Sequence, residues 1–413
     1  MGEESPVDRI LATHTGSLIR PPELLSFLAV KERGGAVDED SYAKTLREAV
    51  ADIVDRQVEA GIDVVDDGEM GKSSWITYLY ERVSGLQARA MEVEGTSILP
   101  ASRDRQAFPG AYAELDARDE AATRSSSAAA GGDAPKDQSP AGRTVEWACT
   151  GPLSYDPAAI DRDIANLTAA LAKHPGTTGF LPVVAPASAY WLSNEYYASD
   201  EEFVFALADV LAQEYQAIVD SGLLLQVDDA VLMHEYDTIL SRGGSYDDYR
   251  RWAELRIRAL NHALEGLPAE RVRYHVCFGS WHGPHAFDPP LADVVDLVLA
   301  VNAGAYAIEQ ANPRHEHEWR VWEDVKLPDG KKLIPGVVTH HTSVIEHPEL
   351  VAQRLVRLAN VVGRENVMAG TDCGFAQGSF IQRVHPEIQW AKLAALAEGA
   401  RLASRELWGA TAP

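Results

Sequence analysis

LLLQVDD at 223–229, YDDYRRWAELRIRALNHAL at 246–264 and VRYHVCFGS at 272–280 spell one strand–helix–strand unit. The two outer runs are apolar and rich in β-formers, as suits strands buried on both faces of a parallel sheet covered by helices. Each run ends in groups able to do chemistry, QVDD in one and HVC in the other.

Working outward, the same pattern recurs until eight runs are counted: Leu11–Ser17, Ile62–Glu69, Leu181–Ser188, Leu223–Asp229, Val272–Ser280, Ala305–Ala311, Leu333–His340 and Val367–Cys373. Helical stretches at Glu39–Ala60, Asp200–Ser221, Tyr246–Leu264, Leu291–Asn302 and Pro348–Val362 separate most of them, and Ile388–Leu407 follows the last. Strand–helix alternation of this kind predicts an α/β fold, and eight units predict closure into a (β/α)8 TIM-type barrel. A doubly wound open sheet is the alternative, but no G-x-G-x-x-G follows the first strand. The rhythm breaks once, after the second strand, over about 76–182. That stretch reads as an insertion in a single domain spanning 1–413. It contains a low-complexity loop at 118–143 with too little apolar surface to offset its ordering entropy. Around the loop, Val83–Val93 and Val145–Ala148 are expected to pair as a hairpin, with a helix near Ala158–Ala172.

Composition narrows the function. The 413 residues are 46% hydrophobic, enough for a well-filled core, and carry a formal charge of −25. Such a charge argues against nucleic acid bound through a broad basic face, and against anionic membrane surfaces. No apolar run is long enough to span a bilayer, and the first nine residues lack a signal-peptide core. A cytoplasmic protein is therefore expected. Three cysteines, Cys149, Cys277 and Cys373, are too few for a disulfide framework.

Barrel enzymes place their sites at the C-terminal ends of the strands. Here those ends read HTGS, DDGE, QVDD, HVC, IEQ, VVTHH and TDCGF. His275 and Cys277 alternate on one strand, so their side chains share a face. Glu309 ends the next strand and Cys373 the last. Two thiolates, an imidazole and a displaceable carboxylate make a tetrahedral zinc (Zn2+) set. H-x-C alone would suit a buried cysteine beside a structural histidine; the addition of Glu309 and Cys373 at strand ends is what favours metal. Zinc deprotonates a coordinating thiol, and the thiolate is the nucleophile. Hydrolytic zinc more often sits among nitrogen and oxygen ligands, so sulfur ligands point to alkylation of a thiol.

The stretches ATHTGSLIRP, GIDVVDDGEMGKSSW, LLLQVDDAVL, RYHVCFGS, AYAIEQANPRHEHEW, LIPGVVTHH and VMAGTDCGF together resemble the catalytic barrel of the cobalamin-independent methionine synthase superfamily. That resemblance implies zinc on His275, Cys277, Glu309 and Cys373, and a homocysteine thiol contacted by Ser17, Glu69 and Asp228. It also implies His341 as the acid for the leaving group, with its neighbour His340 as the alternative register; Thr339 stands where relatives carry an aspartate that would orient that histidine. Trp191 lies close to the position where relatives stack a pterin. APASAYWLSNEYY replaces the folate-facing stretch, and His234 and Glu235 stand where an acidic folate contact is expected. The expected partners are a small-molecule thiol and an alkyl donor, with a corrinoid or a folate both open, and an oligomer left open.

Two other functions compete. Thiol addition to an epoxide, as in epoxyalkane:coenzyme M transferase-like relatives, or its reverse, would need a cation for a sulfonate; Arg20, Lys72 and Arg314 are the candidates. A non-catalytic zinc barrel that only binds a thiol metabolite is the third reading. His282 and His285 are expected at the site mouth or in a Gly/Pro-shaped loop. His315–Glu318 is expected to be a solvated helix start, Lys72 and Ser73 a helix start or an anion contact, and Cys149 a packed thiol.

Overall fold

The computed structural model describes residues 8–32, 35–90, 102–118 and 145–409. Ten strands are found among them: β1 (Val64–Val65), β2 (Val83–Ala90), β3 (Val145–Tyr155), β4 (Thr178–Val184), β5 (Leu192–Asn194), β6 (Leu224–Asp228), β7 (Val272–Val276), β8 (Ala305–Ile308), β9 (Lys332–Val338) and β10 (Gly370–Thr371). Seven of them form one parallel sheet in the order β1-β4-β6-β7-β8-β9-β10. The predicted first strand supplies the eighth stave. Ala12 bridges in parallel to Ala369 beside β10, and Thr13 to Val64 in β1, which brings the two edges of the sheet together. The fold is the expected α/β barrel.

Leu11–Ser17 is the run that departs most from its expected form, since only two bridges mark it. Its side chains replace part of the ladder: Thr13 Oγ1 donates to the Val64 carbonyl (2.9 Å) and Thr15 Oγ1 to that of Thr371 (2.9 Å). From inside the barrel, buried Arg273 donates to Thr13 Oγ1 (3.0 Å) and to the His14 carbonyl (2.8 Å). The backbone from Thr15 onward is thereby released to turn toward the C-terminal end of the barrel.

The helices form where the apolar spacing predicts, at Glu39–Glu59, Asp200–Asp220, Tyr246–Ala263, Leu291–Leu299, Pro348–Val362 and Pro386–Trp408. Side-chain caps start several of them. Asp38 accepts from Ser41 N, Ser199 from Glu202 N, and Ser245 with Asp248 makes a reciprocal capping box. Helices Pro22–Glu32 and Ala230–Ser241 were not expected. The second follows β6 directly, where QVDDAVLMHEYD mixes polar and apolar residues without a clean period.

Outside the barrel, β2 pairs antiparallel with β3, as the hairpin reading expected, and β3 pairs in parallel with β5. Helix Ala158–Leu171 occupies the span expected for one. Beyond residue 118, the low-complexity loop lies outside the described residues.

Candidate metal centre

Parallel strands all end at one rim, so residues distant in sequence meet there. His275 is the penultimate residue of β7, Cys277 follows that strand, and Cys373 follows β10. One ligand atom from each lies within 4.8 Å of the other two, and all three residues are buried. Zinc bound at about 2.0–2.3 Å would hold such atoms nearly 4 Å apart, so the set needs only a small contraction. Neither ring nitrogen of His275 makes a hydrogen bond of sound geometry among the described residues, although Cys373 lies close enough to interact with the ring. A buried imidazole left unsatisfied is costly, and a cation between the two sulfurs would remove that cost. The donor set fits zinc.

The sulfurs differ. Contact with Cys373, together with burial, holds the Cys277 thiol well above its usual range. The hydrogen bond from Cys277, against the cost of burial and aided by His275, holds Cys373 well below it. Ser280 Oγ adds a donor 3.1 Å from Cys373 Sγ. The backbone is shaped for this approach. A Cβ on Gly374 would lie 2.0 Å from Ser17 Oγ, so only glycine lets the turn after Cys373 pass Ser17.

Glu309, fully buried after β8, stands outside that three-residue group. Its carboxylate is held by Phe278 N (3.0 Å) on Oε2 and Asn312 Nδ2 (2.9 Å) on Oε1. Asp372, beside Cys373, accepts from Gln310 N (2.9 Å) and Ala311 N (2.7 Å), tying the turn after Glu309 to the turn that carries Cys373.

Ser17, Glu69 and Asp228 line the same cavity of about 790 Å3 as His275, Cys277 and Cys373. Glu69 sits in the left-handed region (φ 55), uncommon for a residue with a side chain, and its Oε2 has no hydrogen-bond partner among the described residues. Burial, partly relieved by His275, pushes Asp228 up to about 7. Trp191 closes a short turn, Pro186–Trp191, and its side chain lies outside the described residues.

His341 does not line that cavity. Its Nδ1 lies 3.9 Å from Glu309 Oε1, its Nε2 is unpartnered among the described residues, and its ring is 3.9 Å from that of buried His340. Burial and the neighbouring His285 keep it neutral. Thr339 takes a role of its own, with Oγ1 accepting from His341 N (3.2 Å) and its amide donating to Glu346 (2.9 Å).

The expectation of a solvated helix start at His315–Glu318 is corrected. His315 and Glu318 are buried. His315 Nδ1 faces Glu318 Oε2 (2.9 Å) and its Nε2 faces Asp288 Oδ2 (3.1 Å). His285 is buried too, facing the same Asp288 oxygen with Nδ1 (2.9 Å) and the Trp281 carbonyl with Nε2 (3.1 Å). His282 is exposed. The three cations considered for a sulfonate are engaged on backbone carbonyls. Arg20 donates to Glu69 O (2.7 Å) and Lys72 O (2.8 Å), Lys72 Nζ to Pro182 O (2.5 Å), and Arg314 to Ala286 O (2.9 Å). Ser73 bonds Thr77 and, across the short helix Thr77–Tyr80, Glu81, and Cys149 is a packed thiol facing Gly151 O. Sequence reading passed over Ser280, Asn312 and Asp372. Ser280 stood in the quoted VRYHVCFGS, but nothing in that string says it reaches a residue on another strand.

Comparison with known proteins identifies the family. The family described as cobalamin-independent synthase, catalytic domain, matches residues 16–124 and 189–395. The chain is similar to methionine synthase of Thermococcus kodakarensis, 23% identical over 395 residues covering 95% of this chain and 93% of that protein. It is also similar to that of Sulfolobus acidocaldarius, 25% identical over 369 residues covering 88% and 84%. Among solved structures, a B12-independent methionine synthase from Shewanella sp. W3-18-1 in complex with selenomethionine shares the fold, with a TM-score of 0.69, 19% identity and coverage of 97% and 99%. A putative vitamin-B12 independent methionine synthase from Listeria monocytogenes does so with a TM-score of 0.63, 18% identity and coverage of 96% and 98%. With well over half its residues matched, this chain belongs to the cobalamin-independent synthase family, as a barrel of the catalytic-domain type.

Proposed function

We propose that the chain is a zinc-dependent transferase that methylates a homocysteine-like thiol. The observation that carries the reading is the convergence of His275, Cys277 and Cys373, with neither His275 nitrogen in a hydrogen bond of sound geometry among the described residues. Zinc held there would keep the substrate sulfur as a thiolate at neutral pH. Glu309 would serve as the replaceable fourth donor, since Asn312 and Phe278 can hold its oxygens when it is not on the metal. Glu69 and Asp228 would bind the substrate ammonium, and Ser17 would bound the amino-acid end of the cavity. His341, carried over as the acid for the leaving group, would act from beside Glu309, whose Oε1 lies 3.9 Å from its Nδ1.

Methionine synthases among the relatives support the thiol and the methyl transfer. Their names do not state the donor, and we leave a corrinoid, a folate or a sulfonium as candidates. We read 1–413 as one barrel unit with an insertion at about 76–182, supported by the contact of β3 with helix Asp200–Asp220. A cytoplasmic setting with small-molecule partners fits the acidic charge of −25. It also fits the finding that no described helix is long and apolar enough to cross a membrane.

Incubating zinc-loaded protein with homocysteine and each donor class should yield methionine with one of them. Absence of methionine from all three would sink the reading.

A further inference from the structure

An enzyme that alkylates a metal-bound thiolate carries the same chemical group in its own ligands, and it has to spare them. Cys373 is the more accessible of the two, 9% exposed against 2% for Cys277, and both face the cavity where the alkyl donor must come. Across that cavity from the β7 side, Ser280 Oγ lies 3.1 Å from Cys373 Sγ. The turn that delivers Ser280 is built for its position. Gly279 has φ +103, and a Cβ there would lie 1.7 Å from the Trp281 ring, which folds back to stack on His285 at 4.4 Å. Trp281 Nε1 then donates to Tyr112 Oη (3.1 Å), pinning the loop from the other side.

We infer that Ser280 protects Cys373 from alkylation by donating its hydroxyl hydrogen to Sγ. Alkylation of Cys373 would form an S–C bond from a sulfur lone pair, while the donor's leaving group departs with the electrons of the broken bond. A hydrogen bond to that sulfur withdraws charge from it and occupies one direction of approach. A substrate thiolate bound without such a partner would be the better nucleophile. Ser280 thus acts through Cys373 and biases which sulfur reacts. The inference rests on the metal-centre reading above.

The test uses the full zinc-loaded chain, with iodoacetamide as the probe and peptide mass mapping of Cys149, Cys277 and Cys373 over time. Ser280→Ala should accelerate alkylation at Cys373 on the order of tenfold, the size expected for losing a charge-assisted hydrogen bond. Cys149 and Cys277 should keep their rates, and Ser280→Thr should restore slow reaction at Cys373. An unchanged rate at Cys373, or equal acceleration at all three cysteines, would overturn the inference. Zinc content measured on the same samples separates the two failures. A wild-type chain holding no zinc sinks the metal centre, and rates taken at a pH high enough to ionise Cys373 with and without Ser280 then still decide the role of Ser280.

Discussion

Two buried histidine clusters share one end of the barrel, and they are finished differently. In the first, His275 lies with Cys277 and Cys373, and neither of its nitrogens makes a hydrogen bond of sound geometry among the described residues. In the second, every nitrogen of His285 and His315 faces an acceptor-only oxygen from Asp288, Glu318 or the Trp281 carbonyl. Where the carboxylates are ionised, this arrangement favours a hydrogen on both nitrogens of each ring, with Asp288 shared between His285 and His315. Burial opposes charge on His285 and His315, but their carboxylate partners outweigh it and both are raised. Similar residue types thus make one cluster whose imidazole lacks a sound hydrogen bond among the described residues, the one proposed to hold metal, and one whose ring nitrogens all face oxygens. Hydrogen-bond saturation, more than composition, tells a ligand set from a structural brace.

The largest effect should come from emptying the first cluster. The double substitution Cys277→Ala with Cys373→Ala should weaken zinc binding by roughly 10,000-fold or more, since each ligand carries a share of a large binding free energy. Competition with a chelating dye measures this, and circular dichroism should show the barrel intact because the core does not depend on these sulfurs. Retained zinc affinity would erase the distinction between the clusters.

Asp288→Ala should do the reverse, leaving zinc content unchanged while lowering stability by about 3 kcal/mol, at the low end for a broken buried pair because the histidines can shed their protons. Urea unfolding reads this directly, and loss of zinc without loss of stability would invert our assignment. A smaller effect is expected from Asn312→Ala, which frees Glu309 Oε1 from its 2.9 Å donor. Zinc affinity should change by about tenfold with little change in stability, as outer partners of a ligand usually do.

The mildest prediction concerns pH. With folded values raised above the ordinary histidine value of about 6.5, the stabilisation from His285 and His315 is full below that pH. It fades as pH rises through their folded values. Asp288, held low by its two histidines despite burial, contributes above the ordinary carboxylate range and loses its share only as pH falls through its folded value. Urea midpoints of the wild type should decline from pH 6 to pH 9 more than those of His315→Gln. Parallel slopes would show that the second cluster is not charged.

Much of this was readable from the chain. The apolar runs and intervening amphipathic helices specified a closed barrel, because burial on both faces of a strand and one face of a helix is a local pattern. The identities of His275, Cys277 and Cys373 were also legible, since strand ends converge on one rim. Other features are set by partners remote in sequence. Glu309 carries the same residue type whether it joins the three or rests on Asn312 and Phe278. His315 reads as a surface residue until Asp288 and Phe278 close over it. Ser280 has no visible function until Cys373 arrives from β10.

The sequence by itself determined the architecture and which residue types meet at the rim, because periodicity and strand polarity are properties of short stretches. Only the tertiary structure decided which of those groups are hydrogen-bonded to one another and which are not, because a hydrogen bond depends on distance and angle between atoms that the chain order leaves unconstrained.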